Sequence, residues 1–123
     1  MREVVDEKEP EYLVRVPSRV GNRVELIHVA NVNYFYATDK LTFAATGKKE
    51  YPLDISIAEL ERRLPIQQWV RIHRSTLLNI DAVQEIRGWF SGRLLVKLND
   101  GNTELQVARE RMADVRAKLG LKA

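Results

Sequence analysis

Residues 69–79 read WVRIHRSTLLN, and the rest of the chain is organised around this stretch. Trp69 to Ile72 is an extended apolar run, His73-Arg74-Ser75-Thr76 breaks it with four polar side chains, and apolar Leu77-Leu78 follows. Core packing does not select such a quartet. It marks an exposed loop held between two extended segments that bury their apolar side chains.

Downstream the pattern stays extended. Ala82 to Trp89, a Ser91-Gly92 turn and Arg93 to Leu98 spell a hairpin. Asn99-Asp100-Gly101-Asn102 makes a stronger turn, because Asn, Asp and Gly tolerate positive φ, and Thr103 to Val107 forms the last strand. From Arg109 onward Met112, Val115 and Leu119 fall on one helical face, with Gly120 placed as the stop.

Upstream, structure begins near Tyr12. Residues 12–16 form a short strand that Pro17 and Ser18 end. Gly21-Asn22 reverses the chain into Arg23 to His28, and a brief turn at Ala30-Asn31 leads to Val32 to Thr38. Asp39-Lys40 turns, Leu41 to Thr46 returns, Gly47-Lys48 turns again, and Lys49 to Leu53 closes an antiparallel meander. Between Asp54 and Pro65 the period changes to helical: Ile57, Leu60 and Leu64 share a face, Asp54 or Ser56 caps the start, and Pro65 prevents continuation. The fold class is therefore mainly β, antiparallel, with one short internal helix and a C-terminal helix.

Composition narrows the function. At 123 residues with 45% hydrophobic side chains, one domain with a single core is expected over residues 12–121, and residues 1–11 read as a flexible acidic lead or linker remnant. Cysteine is absent, which removes disulfides, thiolate zinc sites and a cysteine nucleophile. No apolar run approaches the roughly 20 residues of a membrane helix, and the start carries no signal-peptide pattern, so no membrane role and a cytoplasmic location are expected. The net charge of +3 is unevenly spread: residues 1–61 hold 8 Lys/Arg against 11 Asp/Glu, and residues 62–123 hold 12 against 6. Such a basic half offers a face to an anionic partner.

Three turn regions hold the candidate working residues: Asp39-Lys40, His73-Arg74-Ser75, and Arg109 at the opening of the last helix. Arginine presents a rigid donor fork that bonds bidentately to guanine or phosphate, which suits a nucleic-acid groove. A triad of His73, Ser75 and Asp81 is a poor enzymatic reading, since no nucleophile turn surrounds the serine. His28 and His73 are far apart, no acidic cluster has calcium-loop spacing, and the six glycines form no phosphate loop, so neither metal, cofactor nor catalysis is expected.

Residues 69–120 resemble the LytTR DNA-binding domain, whose members carry an Arg-x-His-Arg-Ser-aromatic-Leu-Val-Asn stretch, matched here by Arg71-Ile72-His73-Arg74-Ser75-Thr76-Leu77-Leu78-Asn79. The Asp100-Gly101 turn and Arg109 continue the resemblance, and VNYFYATDKLTFAAT upstream is similar to the family's aromatic strand and turn. The resemblance implies elongated antiparallel sheets whose loops enter successive major grooves of promoter DNA. It also implies paired target repeats occupied by two protein copies, and a bacterial two-component response regulator with a receiver domain in the full-length protein. By position it makes Lys40, Arg74 and Arg109 the DNA-contacting residues. His73 and Asn79 then shape the second loop, Ser75 bonds a phosphate or caps the turn, and Arg71, Arg93 and Arg111 add attraction to phosphate.

Three positions depart from the family pattern. Ala108 stands where a serine is usual, Thr76 where an aromatic is frequent, and Glu110 puts a negative charge beside Arg109. They leave a second reading, a β-rich protein-interaction module without DNA binding.

Overall fold

The computed structural model describes residues 11–88 and 92–121. All but one residue of the acidic lead, together with Trp89 and Ser91 of the second-half hairpin, lie outside the described residues.

Ten strands and two helices follow one another as β1 (Arg15–Val20), β2 (Arg23–His28), β3 (Val32–Thr38), β4 (Leu41–Thr46), β5 (Glu50–Leu53), α1 (Ile57–Arg63), β6 (Trp69–His73), β7 (Thr76–Asn79), β8 (Val83–Gly88), β9 (Leu94–Leu98), β10 (Glu104–Gln106) and α2 (Met112–Lys118). They build three antiparallel sheets: β1-β2, the five-stranded β5-β4-β3-β7-β6, and β10-β9-β8. Among the described residues no helix is long and apolar enough to cross a membrane.

The five-stranded sheet is the frame. Successive side chains in a strand point to opposite faces, so β6 and β7 can supply two cores at once. Trp69 and Leu77 pack on one face with Phe35, α1 and the β1-β2 hairpin, while Val70, Ile72 and Leu78 pack on the other with β9, Val107 and α2. The single core expected from composition is thus two buried clusters separated by this sheet. Near-continuous apolarity in β6 and β7 is the sequence trace of a strand covered on both sides.

The β3-β4-β5 meander forms as expected, but the antiparallel run does not extend back through β2. β2 does not pair with β3; β7 lies against β3 instead, with Tyr34 opposite Leu78 and Tyr36 opposite Thr76. Pro17 does not end β1, which runs on to Val20 with Pro17 facing Leu26. Alternate amides of an antiparallel strand point away from the partner, so a two-stranded ribbon tolerates the missing donor.

Ser56, one of two cap candidates, caps α1 by accepting the Glu59 amide at 3.1 Å. The C-terminal helix opens as a 3-10 turn over Arg109–Arg111 before α2, and its first residue boundary, Ala108, offers no side-chain acceptor. It ends at Gly120 (φ +77), where the Gly120 and Leu121 amides return to the carbonyls of Ala117 and Arg116 at 3.2 and 2.8 Å. Only a residue free to take positive φ closes a helix this way.

Candidate nucleic-acid interface

Backbone hydrogen bonds bring the three candidate turns to one end of the molecule. The Ala37 amide donates to the Ser75 carbonyl at 2.9 Å, which sets the β3–β4 turn beside the β6–β7 turn. The Ala108 amide donates to the Ile72 carbonyl at 2.8 Å, seating the start of the last helix against the same β6–β7 hairpin. Val107 donates to the Leu94 carbonyl at 3.0 Å, so the start of β9, with Arg93 just before it, joins the group. Loops adjacent at their bases share one surface.

Each turn has its own local cause. Asp39 and Lys40 both adopt positive φ, +51° and +69°, the backbone of a two-residue hairpin turn that matches strand twist. It carries Lys40 out into solvent as the tip of a two-stranded ribbon.

In the β6–β7 turn, Arg74 is exposed while its carbonyl is held from beneath. Arg71 donates to that carbonyl from Nε at 3.2 Å and again from its terminal nitrogen, and its other terminal nitrogen pairs with Glu61 of α1 at 2.6 Å. With a side chain only 16% exposed, Arg71 is committed to holding the turn. His73 Nδ1 lies 3.0 Å from the Ser75 hydroxyl and accepts the Ser75 amide at 3.2 Å. An acceptor Nδ1 places the neutral ring's proton on Nε2, leaving that N–H as a donor to a partner.

The third segment forms a shallow depression lined by His73, Arg93 and Val107 to Glu110. Arg93 and Arg109 are exposed there, with Glu110 beside them. Among the described residues, Lys40, Arg74, Arg93 and Arg109 make no ion pair with a carboxylate. Arg111 is partly buried, and its Nε has no hydrogen-bond partner among the described residues.

Asn79 lies at the other end of β7. It is buried, donating to the Val32 carbonyl at 2.9 Å and accepting from the Asp81 amide at 3.0 Å and from Gln68 at 2.6 Å. These bonds fix the register of β7 against β3, and through it the relative height of two loops. Asp81 shares that far end, so it cannot complete a triad with His73 and Ser75. Among the described residues no group of His, Cys, Asp and Glu is arranged to hold a metal ion.

On the five-stranded sheet, Tyr36 of β3 reaches across to the start of β5, which lies at the opposite end of β4 from Lys40. The Tyr36 phenol donates to Glu50, and burial, then this bond and the carboxylate's charge, push its pKa up to about 12. Burial and the charges of Glu50 and Asp100 raise Tyr34 as well. Sequence reading missed Glu61, because nothing in residue order shows that a helix residue will meet Arg71 ten positions on.

Comparison with known proteins gives concordant results. The model of the LytTr DNA-binding domain family matches residues 22–120. The transcriptional regulatory protein YpdB of Escherichia coli K12 is 28% identical over 99 residues, covering 80% of this chain and 41% of that protein. The transcriptional regulatory protein LytR of Staphylococcus aureus N315 is 26% identical over 106 residues, covering 86% and 43%. The chain spans less than half the length of either relative. A solved LytTr DNA-binding domain from Bacillus cereus superposes with a TM-score of 0.81 at 22% identity, covering 89% of this chain and 99% of that one.

Proposed function

The chain belongs to the LytTr DNA-binding domain family, and from that premise we propose how it grips DNA: with the loop-bearing end of its sheets, as a sequence-specific, non-catalytic transcription regulator. The observation that carries this reading is the convergence of the β3–β4, β6–β7 and β10–α2 turns, each with an exposed cation, on one surface. Lys40 enters a major groove on its two-stranded ribbon, a shape the groove admits. Arg74 and Arg109 read base edges or phosphates. Arg93 adds phosphate attraction, and the His73 Nε2–H is available as a donor to phosphate oxygens, the Ser75 hydroxyl being engaged by His73 Nδ1. Arg71 and Asn79 act from below by holding the loops in position.

Two copies on paired promoter repeats, and a receiver domain in the full-length regulator, complete the proposal; greater length in the relatives is what supports the second point. The regulator works where the genome is, inside the cell.

Random-duplex selection with the purified chain tests the reading, followed by titration of the enriched duplex at several salt concentrations. About four phosphate contacts predict a loss of roughly 100-fold in affinity between about 50 and 200 mM salt. Enrichment of no motif, with no salt-dependent binding, would overturn it and favour a protein-interaction module.

A further inference from the structure

The end that carries the cations also carries one side chain of the wrong kind for phosphate. Leu41, the residue after Lys40, is 52% exposed and opens β4 opposite Thr38. Its strand position puts it on the same sheet face as Tyr36 and Phe43, the face against which the three-stranded sheet and α2 pack.

Other exposed large apolar side chains are gathered elsewhere. Tyr12 and Val14 line a hollow beside Trp69 and Asn79, at the far end of β6 and β7. Val20 and Val24 border Lys49 in the β4–β5 turn, and Leu26 borders Gly47 and Lys48 there, at the opposite end of β4 from Leu41. Ile66 precedes β6, and Leu121 follows α2, whose Lys118 reaches the Trp69 carbonyl. Among the described residues Leu41 is therefore the one large aliphatic side chain exposed at the basic end.

A leucine on a ribbon tip cannot bond phosphate or a base edge. What it can gain from is the one apolar group the major groove displays, the 5-methyl of thymine. Positive φ at both Asp39 and Lys40 fixes the hairpin turn immediately before it, so Leu41 is delivered on a defined backbone. We propose that Leu41 is a specificity-determining residue that packs on a thymine methyl in the groove entered by Lys40. This inference rests on the DNA-binding reading above and assigns it a base preference that no arginine in the site supplies.

Replacing thymine by deoxyuridine removes only the methyl and keeps every hydrogen-bonding group. The duplex enriched by the unaltered chain is therefore synthesised with each thymine in turn replaced by deoxyuridine. Each duplex is titrated with the unaltered chain and with Leu41→Ser, whose fold is checked by circular dichroism. One replacement is expected to weaken the unaltered chain about four-fold, the worth of one buried methyl, and to leave Leu41→Ser unaffected. Leu41→Val, apolar but shorter, is expected to show a smaller sensitivity at that same position. A flat scan with the unaltered chain, or equal sensitivity in the serine variant, would overturn the assignment while leaving DNA binding intact. Failure to bind any duplex would overturn both.

Discussion

The guanidinium of Arg71 reaches forward to the backbone carbonyl of Arg74, at 3.2 Å from Nε, while its far nitrogen stays paired to Glu61. A buried-stemmed arginine on β6 thus braces the turn that exposes another arginine three residues later. Replacing Arg71 by alanine leaves the Arg74 carbonyl and Glu61 without their donor. The expected cost is about 1–2 kcal/mol in urea unfolding. DNA affinity should fall more for the selected than for a scrambled duplex, since the loosened turn no longer holds Arg74 in place. Arg71→Lys, a point charge without the planar fork, should restore little of either.

Lys40 sits at φ +69°, a conformation that costs a side-chain-bearing residue about 1 kcal/mol. Lys40→Gly relieves that cost and removes the exposed charge proposed to enter the groove. The variant should unfold at a higher urea midpoint and bind the selected duplex more weakly, with a shallower salt dependence. Stability and affinity moving in opposite directions would mark the strain as maintained for function.

Tyr36 supplies a pH dependence whose sign is fixed. Its phenol pKa is raised from 10.0 to about 12 by burial and by the bond to Glu50. A group whose folded pKa is raised contributes stability that is whole below the unfolded value and is lost as pH rises through the folded one. The stability difference between the unaltered chain and Tyr36→Phe should hold steady up to about pH 10 and shrink toward about pH 12. Urea unfolding across that range checks it, and absorbance titration should show a tyrosine ionising late.

Local structure was written plainly in the sequence where short-range chemistry decides it. The bounds of β3 and β4 follow from the Asp39-Lys40 turn and their aromatic and β-branched content, and Ser56, Pro65 and Gly120 punctuate the helices as their chemistry requires. Long-range pairing was not legible. That β3 takes β7 as its neighbour depends on Asn79 meeting the Val32 carbonyl 47 residues away, and no local pattern encodes such a contact. Pro17 misled because proline's penalty applies to a ladder position that needs an amide, which an edge ribbon can avoid. The LytTR resemblance named the candidate site residues; the structure adds that their loops adjoin, and that Arg71 supports Arg74 from below.

If exposed arginines on these convergent loops read DNA, removing Arg109 at the opening of the last helix must cost both affinity and discrimination. Arg109→Ala should bind the selected duplex more weakly by about 1–3 kcal/mol, roughly 5- to 150-fold, and lose discrimination at one base position. Anisotropy titration against the selected duplex and a scrambled one measures both effects. Affinities equal to those of the unaltered chain on both duplexes would contradict the account.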